Sequence, residues 1–341
     1  MKLFSYLNLR RKTANKERLK KYIKIISKET GKSRYFIEID FLFNFIKYGC
    51  GYTDYFRCEY YNLTKEQKKT YVTVKSFYKL IKYFNKEEFK HFLRNKADFN
   101  EMFKEFLHRE YIIINENSFD SFQKFIANKN VIFAKVVDGF GGHGITKVYL
   151  DEYQDKKELF DKLITNKQYL CEEEIVQSEE LNKINPNSVS SFRVVTLYKN
   201  NKAYVIGNAL RVNQGDNSVV GCSDDVYFSL GEDGRINSNV IDDLGNVYER
   251  HPLTNVSFKD VQIDGVKEAF EMCKKAACKL PEIRYIGWDI AFSKNGPVII
   301  EGNEYPGYGI LQFNKLRNKK TGHLLEILNI CPDENLERVI K

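Results

Sequence analysis

Residues 133–150 read FAKVVDGFGGHGITKVYL, with four glycines in six positions: Gly139, Gly141, Gly142 and Gly144. A tight two-residue turn needs one or two glycines, so a stretch this rich implies a backbone that closes on something. The spacing satisfies G-x-G-x-x-G, a pattern whose flanks decide its meaning. In a dinucleotide fold the third glycine opens a helix that receives a pyrophosphate. Here ITKVYL follows, β-branched and aromatic, so the glycines join two strands. A kinase flap also joins strands, but its lysine comes afterwards and it needs H-R-D and D-F-G. The sequence has neither tripeptide, and Lys135 precedes the glycines. What remains is a hairpin tip whose N–H groups can close over phosphates, with Lys135 as a point charge beside it. His143, within the tip, is expected to touch phosphate or solvent rather than to act as an acid or base.

The surrounding periodicities describe an α+β protein. Up to about residue 95 the pattern is mainly helical, as in KERLKKYIKIISKE and EQKKTYVTVKSFYKLIKYF, while FLFNFIKYGCGYTDYFRCEYYNLT suggests packed loops and short helices. NKADFNEMFKEFLHRE predicts one amphipathic helix, and FKDVQIDGVKEAFEMCKKAACKL another. Strands are expected at YIIIN, NVIFAKVV, ITKVYL and QYLCEEEIVQ. Further on, SSFRVVTLYKN and KAYVIGNALRV form a hairpin through Lys199–Lys202, and YIGWDIAFS pairs with PVIIEGN.

That last pair carries the second chemical signal. Glu301 and Asn303 are two apart and share a strand face, and Asp289 lies on the preceding strand. A three-residue loop, Lys294-Asn295-Gly296 with Gly296 left-handed, would pair 292 with 298 and 289 with 301, whereas a two-residue loop would break that alignment. Ile290, Ile299 and Ile300 would then face the core. Aligned Asp, Glu and Asn oxygens suit Mg2+, a hard cation often shared with nucleotide phosphates. Arg193 and Arg211, on adjacent strands, add two guanidinium forks suited to phosphate or carboxylate, or to a structural ion pair.

Charge is uneven. Residues 1–110 hold 26 Lys/Arg against 13 Asp/Glu, and the remainder holds 28 against 33. So basic an N-terminal third could face an acidic glycan, a lipid-phosphate surface or nucleic acid, or be a solvated face. No nucleic-acid module is recognisable, and no nucleic-acid partner is expected. No apolar run is long enough to span a bilayer, and the first residues lack the apolar core of a signal peptide. Seven scattered cysteines suggest neither a disulfide framework nor a zinc site, so a reducing cytoplasm is expected.

In this order, YGCGYTDYF, LRNKADFNEMFKEFL, FAKVVDGFGGHGI, LCEEEIVQSEELNKINPNSVSSFRVVTL and IGWDIAFSKNGPVIIEGN resemble the ATP-grasp superfamily. More closely they resemble its sugar-transfer-associated branch, found among polysaccharide-biosynthesis proteins. The resemblance implies ATP gripped between two α+β subdomains. A basic helical region over 1–95 would precede a small subdomain with the glycine flap over 96–175, and a central sheet with the Mg2+ ligands over 176–341. It implies Lys96 and Lys135 on phosphates, assisted by Gly139, Gly141, Gly142, His143 and Gly144. Glu172, Glu173 and Ile175 would meet adenine, and Glu179 or Glu180 the ribose. Asp289, Glu301 and Asn303 would bind Mg2+, and Arg193 and Arg211 would clamp the γ-phosphate or an acyl phosphate. Three successive glutamates leave the ribose assignment open. The implied activity is a carboxylate–amine ligase acting on a sugar acid of a surface polysaccharide and a small amine. A sugar or alcohol kinase and a non-catalytic nucleotide-binding scaffold are the alternatives. The basic region would meet the acidic or lipid-linked end of the glycan precursor, at the inner face of the membrane.

Overall fold

The computed structural model describes residues 16–138, 144–215 and 225–340. The chain forms two compact units, Ile81–Gly307 and Met1–Leu80 with Tyr308–Lys341. The C-terminal residues thus cluster with the N-terminal helices, and positions 95 and 175 both fall inside the larger unit.

In the smaller unit, α1 (Lys16–Thr30) and α2 (Arg34–Tyr48) form a hairpin, and α3 (Val74–Phe84), whose residues 81–84 belong to the larger unit, follows. Helix α2 contains FLFNFIKY, expected as loop and short helix. It is continuous because Ser33 caps it and the Gly49 N–H closes it onto the Phe45 carbonyl at 3.0 Å. Inside, Tyr22 stacks on Phe56 with ring centroids 4.0 Å apart. The C-terminal segment is tied in by polar groups. Gln312 brackets the Val72 backbone, donating to its carbonyl at 2.5 Å and accepting its N–H at 3.2 Å. The Tyr308 hydroxyl donates to Asp54 at 2.9 Å. The helix expected over EQKKTYVTVKSFYKLIKYF is two pieces, Lys65–Lys68 and α3.

The larger unit holds two antiparallel sheets. The first has strands β1 (Tyr111–Ile113), β2 (Val131–Lys135), β3 (Ile145–Tyr149) and β4 (Leu170–Glu173) in the order β1-β4-β2-β3. Preceding it, α4 (Lys96–Met102) is shorter than NKADFNEMFKEFLHRE suggests and gives way to a 3-10 turn at Lys104–Phe106. Helices α5 (Phe119–Ile126) and α6 (Lys156–Thr165) cover one face of this sheet. Their Phe122 and Phe160 pack with Ile132, Ala134, Val148 and Cys171, every second strand residue, as the pleat requires. Phe133, Lys135 and Glu172 consequently lie on the opposite face.

The second sheet has β5 (Ser191–Lys199), β6 (Lys202–Asn213), β7 (Asp225–Phe228), β8 (Ile241–Asp242), β9 (Tyr285–Ser293) and β10 (Gly296–Asn303) in the order β10-β9-β5-β6-β7-β8. Between β4 and β5 lies α7 (Glu179–Ile184). Asn200 and Asn201, with φ of 50° and 58°, make the two-residue β5–β6 turn. Helix α8 (Val266–Lys279) covers one face. It starts only after Gly265, eight residues into the stretch that suggested a helix, because Phe258–Asp260 forms a separate 3-10 turn. Phe192, Val194, Trp288, Ile290 and Ile299 join its apolar face in the core.

Among the described residues no helix is long and apolar enough to cross a membrane. The six described cysteines are free.

Candidate active site

The β9–β10 hairpin closes one residue earlier than expected. Lys294 and Asn295 form the turn, and Gly296, at φ 105°, already pairs with Ser293. The Ser293 hydroxyl accepts the Asn295 N–H at 3.1 Å and donates to the Gly296 carbonyl at 2.8 Å, which tightens the turn. Phe292 therefore pairs with Pro297, not with residue 298. Left alone, this register would put Ile300 opposite Asp289 and turn Glu301 to the other face. A β-bulge between Ile299 and Glu301 corrects it, and Glu301 lies opposite Asp289. Ile290 and Ile299 reach the core as expected, while Ile300, the extra residue, is only half-buried.

The row continues across the sheet, because Asp289 also faces Arg193 on β5. Arg193 grips it with both arms of the fork, Nε to Oδ1 at 2.6 Å and Nη2 to Oδ2 at 2.8 Å. Its Nη1 donates to the Pro306 carbonyl at 2.9 Å. That carbonyl comes so close because residue 287 is glycine: a Cβ there would lie 2.7 Å from Pro306 Cα. Burial disfavours the Arg193 charge, but Asp289 and Glu301 outweigh it and raise the guanidinium pKa. Arg211, diagonal to Arg193 on the same face, is bound at 2.5 Å to the fully buried carboxylate of Asp225.

The Asn303 amide nitrogen is 3.2 Å from Asp289 Oδ2 and 3.4 Å from Glu301 Oε1. Three oxygen-bearing side chains thus converge on one small volume. Burial, and next the charge of Asp289, push the Glu301 carboxyl above its ordinary value. A cation between the carboxylates would relieve that repulsion. Turning the Asn303 amide over would present Oδ1 in place of Nδ2, a choice set only by the hydrogen-bond network. These residues fit a hard divalent cation with two carboxylates and one amide oxygen. Among the described residues no cluster of three His, Cys, Asp or Glu side chains offers another metal site.

On the first sheet, Lys135 forms a short ion pair with Glu172, its diagonal neighbour across β2 and β4. Glu172 is buried and also accepts from Arg109 Nη2 at 2.9 Å and Asn100 Nδ2 at 2.7 Å. Burial alone would raise its pKa, but Lys135 and Arg109 prevail and hold it well below the usual carboxylate range. Arg109 is the link between sheets. Its Nη1 donates to the Ile299 carbonyl at 2.7 Å, so one guanidinium joins Glu172 to the edge of the bulge that sets Glu301. Lys96 opens α4, where its N–H bonds the Val137 carbonyl at 3.0 Å. Burial lowers its pKa; Glu301, Asp138 and Glu172 oppose this and Lys135 adds to it. Lys96 is therefore within electrostatic reach of residues from both sheets.

The segment after β4 passes from one sheet to the other. Ser178 N–H bonds the Phe292 carbonyl at 2.9 Å, and Lys294 N–H bonds the Val176 carbonyl at 3.0 Å. Glu173 ends β4 and accepts the Glu110 N–H at 3.1 Å, Ile175 is half-buried in the crossing, and Glu179 and Glu180 lie in the first turn of α7. Gly139, Gly141, Gly142 and His143 lie outside the described residues. Gly144, just after them, accepts the Val136 N–H at 3.0 Å and extends the β2–β3 ladder.

Sequence reasoning missed Asn100, Arg109, Asp225 and the Pro306 carbonyl. Asn100 was within reach, since it follows Lys96 by four residues on the same helix. Arg109 is recognisable only when β4 and β10 are seen together.

Residues 76–321 match the family model described as sugar-transfer associated ATP-grasp. No curated protein matches the chain. Among solved structures it is similar to D-alanyl-alanine synthetase A from Vibrio cholerae, at 13% identity and TM-score 0.43, over 73% of this chain and 66% of that one. It is similar to VanG D-Ala:D-Ser ligase from Enterococcus faecalis, at 14% identity and TM-score 0.43, over 70% and 61%. A third is the ATP-grasp ligase PsnB complexed with minimal precursor, Mg and ADP, at 17% identity and TM-score 0.41, over 76% and 62%. The chain spans just under two thirds of the length of these proteins.

Proposed function

This chain belongs to the sugar-transfer-associated ATP-grasp family, and from that premise we propose that it is an ATP- and Mg2+-dependent carboxylate–amine ligase. The reading is carried by one observation. A single row across β5, β9 and β10 holds Arg193, Asp289 and Glu301 beside Asn303.

In this reading a substrate carboxylate oxygen attacks the γ-phosphorus of ATP, and the bond to the β-bridging oxygen breaks to release ADP. The acyl phosphate is captured by an amine, which loses a proton as inorganic phosphate leaves. Such chemistry needs positioning and charge neutralisation rather than a side-chain nucleophile. Lys96 and Lys135 would hold phosphate oxygens. An ammonium has three N–H donors, so Glu172 can fix Lys135 while other donors meet the nucleotide. Arg193 and Arg211 would stabilise charge on the transferring phosphoryl group. Backbone groups of Glu173 to Ile175 would meet adenine and Glu179 or Glu180 the ribose, while the Glu172 side chain is turned toward the lysine. Mg2+, held by Asp289, Glu301 and Asn303, would supply Lewis acidity at the phosphates.

The substrate class we propose is a sugar acid of a surface polysaccharide or its precursor, joined to an amino acid or another small amine. The family's association with sugar transfer supports it, as does the excess of basic residues over 1–110, which suits an acidic precursor. Titration of ATP with and without Mg2+, on wild type, Lys135→Ala and Glu301→Ala, tests the site. Wild-type affinity in both variants would overturn the assignment. ADP release requiring both a carboxylate and an amine supports the ligase, and a phosphorylated product formed without an amine refutes it.

A further inference from the structure

Helix α2 is apolar on its outer side as well as its inner one. Ile37 faces the interior, yet Tyr35, Phe36, Ile39, Leu42, Phe43 and Ile46 are 69, 67, 46, 54, 54 and 71% exposed. At 3.6 residues per turn these six fall within one arc of about 120°. An outward stripe of six large apolar side chains marks a docking surface rather than scattered surface residues.

We infer that this face lies in the interface of an anionic phospholipid bilayer. Charge decides among the possible occupants. The α1–α2 hairpin, residues 16–48, holds nine Lys/Arg against four Asp/Glu. The exposed Lys32 and Arg34 stand at one end of the stripe. At the other, the Lys47 ammonium lies 5.2 Å from the Phe43 ring centroid. Lys75, in the first turn of α3, joins this end through its N–H bond to the Gly49 carbonyl at 3.3 Å. Cations whose stems lie along an aromatic face are placed to reach lipid phosphates while the rings enter the acyl boundary. A second copy docked on the same face would set basic ends against basic ends, whereas an anionic leaflet attracts both. With 15 residues, about 22 Å long, the helix is too short to span and would lie flat. This inference needs no nucleotide and stands apart from the ligase reading.

The test uses the full chain with vesicles of phosphatidylcholine alone or mixed with phosphatidylglycerol. Co-sedimentation with the mixed vesicles, weakened by salt, is expected. The double variant Leu42→Glu/Ile46→Glu should lower the bound fraction on the order of tenfold. Its melting temperature should stay unchanged, because both side chains lie outside the core. No binding to mixed vesicles, or undiminished binding of the variant, would overturn the inference. So would a dimer, seen by analytical ultracentrifugation, that the same variant abolishes.

Discussion

Arg109 offers a direct probe of how the two sheets of the larger unit are held together. Its side chain and that of Glu172 are each 3% exposed, and it meets both Glu172 and the Ile299 carbonyl. Arg109→Met keeps the approximate length and removes the charge. Glu172 retains Lys135 and Asn100, but the Ile299 carbonyl loses its side-chain donor. Because Lys135 still compensates the buried carboxylate, the cost is that of a lost charge-assisted bond and an orphaned buried carbonyl, about 2–4 kcal/mol. In a unit of this size each kcal/mol lowers the melting temperature by about 2–4 °C, so a fall of about 4–16 °C is expected. Urea unfolding gives the free energy, and ATP titration reads the functional arm: the bulge beside Glu301 is loosened, so Mg2+-dependent binding should weaken together with stability. Arg109→Lys keeps a charge but cannot span both partners, and should fall between wild type and Arg109→Met. A loss below about 1 kcal/mol with unchanged nucleotide affinity would refute the bridging role, since that is no more than an exposed pair is worth.

Two further outcomes follow from the same geometry. The Glu172 carboxyl is held below its ordinary value, so its pairing stabilises fully above the unfolded-state value of about 4.3 and is lost as pH falls through the folded one. Glu172→Gln should therefore be less stable at neutral pH by about 3–5 kcal/mol, with the gap to wild type narrowing below about pH 4; a constant gap in urea unfolding across that range would contradict this. Gly287→Ala would push a Cβ to within 2.7 Å of Pro306 Cα and displace the carbonyl that Arg193 uses. A destabilisation of about 1–3 kcal/mol is expected, with a fall in ATP turnover steeper than the fall in folded fraction; wild-type turnover would show that Pro306 does not orient Arg193.

Much of the frame was legible from periodicity. The strand–glycine–strand order excluded two nucleotide folds, and the strands containing VIFAK and YIGWDIAFS were placed where they occur. Alignment of Asp289 with Glu301 was anticipated, but through a different turn: the Ser293 hydroxyl shortens the loop, and a bulge restores the register. Neither device has a propensity signature strong enough to read locally. Helix lengths were overestimated at α4 and α8 because apolar spacing continues through the 3-10 turns that flank them. The Arg109 bridge depends on pairings between residues far apart in sequence, which no local window contains. The outward stripe of α2 was written in RYFIEIDFLFNFIKY, but only the packed hairpin shows which side of that helix meets solvent.

The extra residue in β10 has a bearing on how this strand pair can tolerate insertion and deletion. Because Ile300 absorbs one position, lengthening the tip by a residue while deleting Ile300 would leave the acid and its neighbour in step. Either edit alone would swing the carboxylate to the apolar side of the sheet or strain the tip. Comparisons between this chain and others of its kind should therefore place compensating gaps on both sides of Pro297–Ile299, since an ungapped match across the hairpin can set Glu301 against the wrong residue.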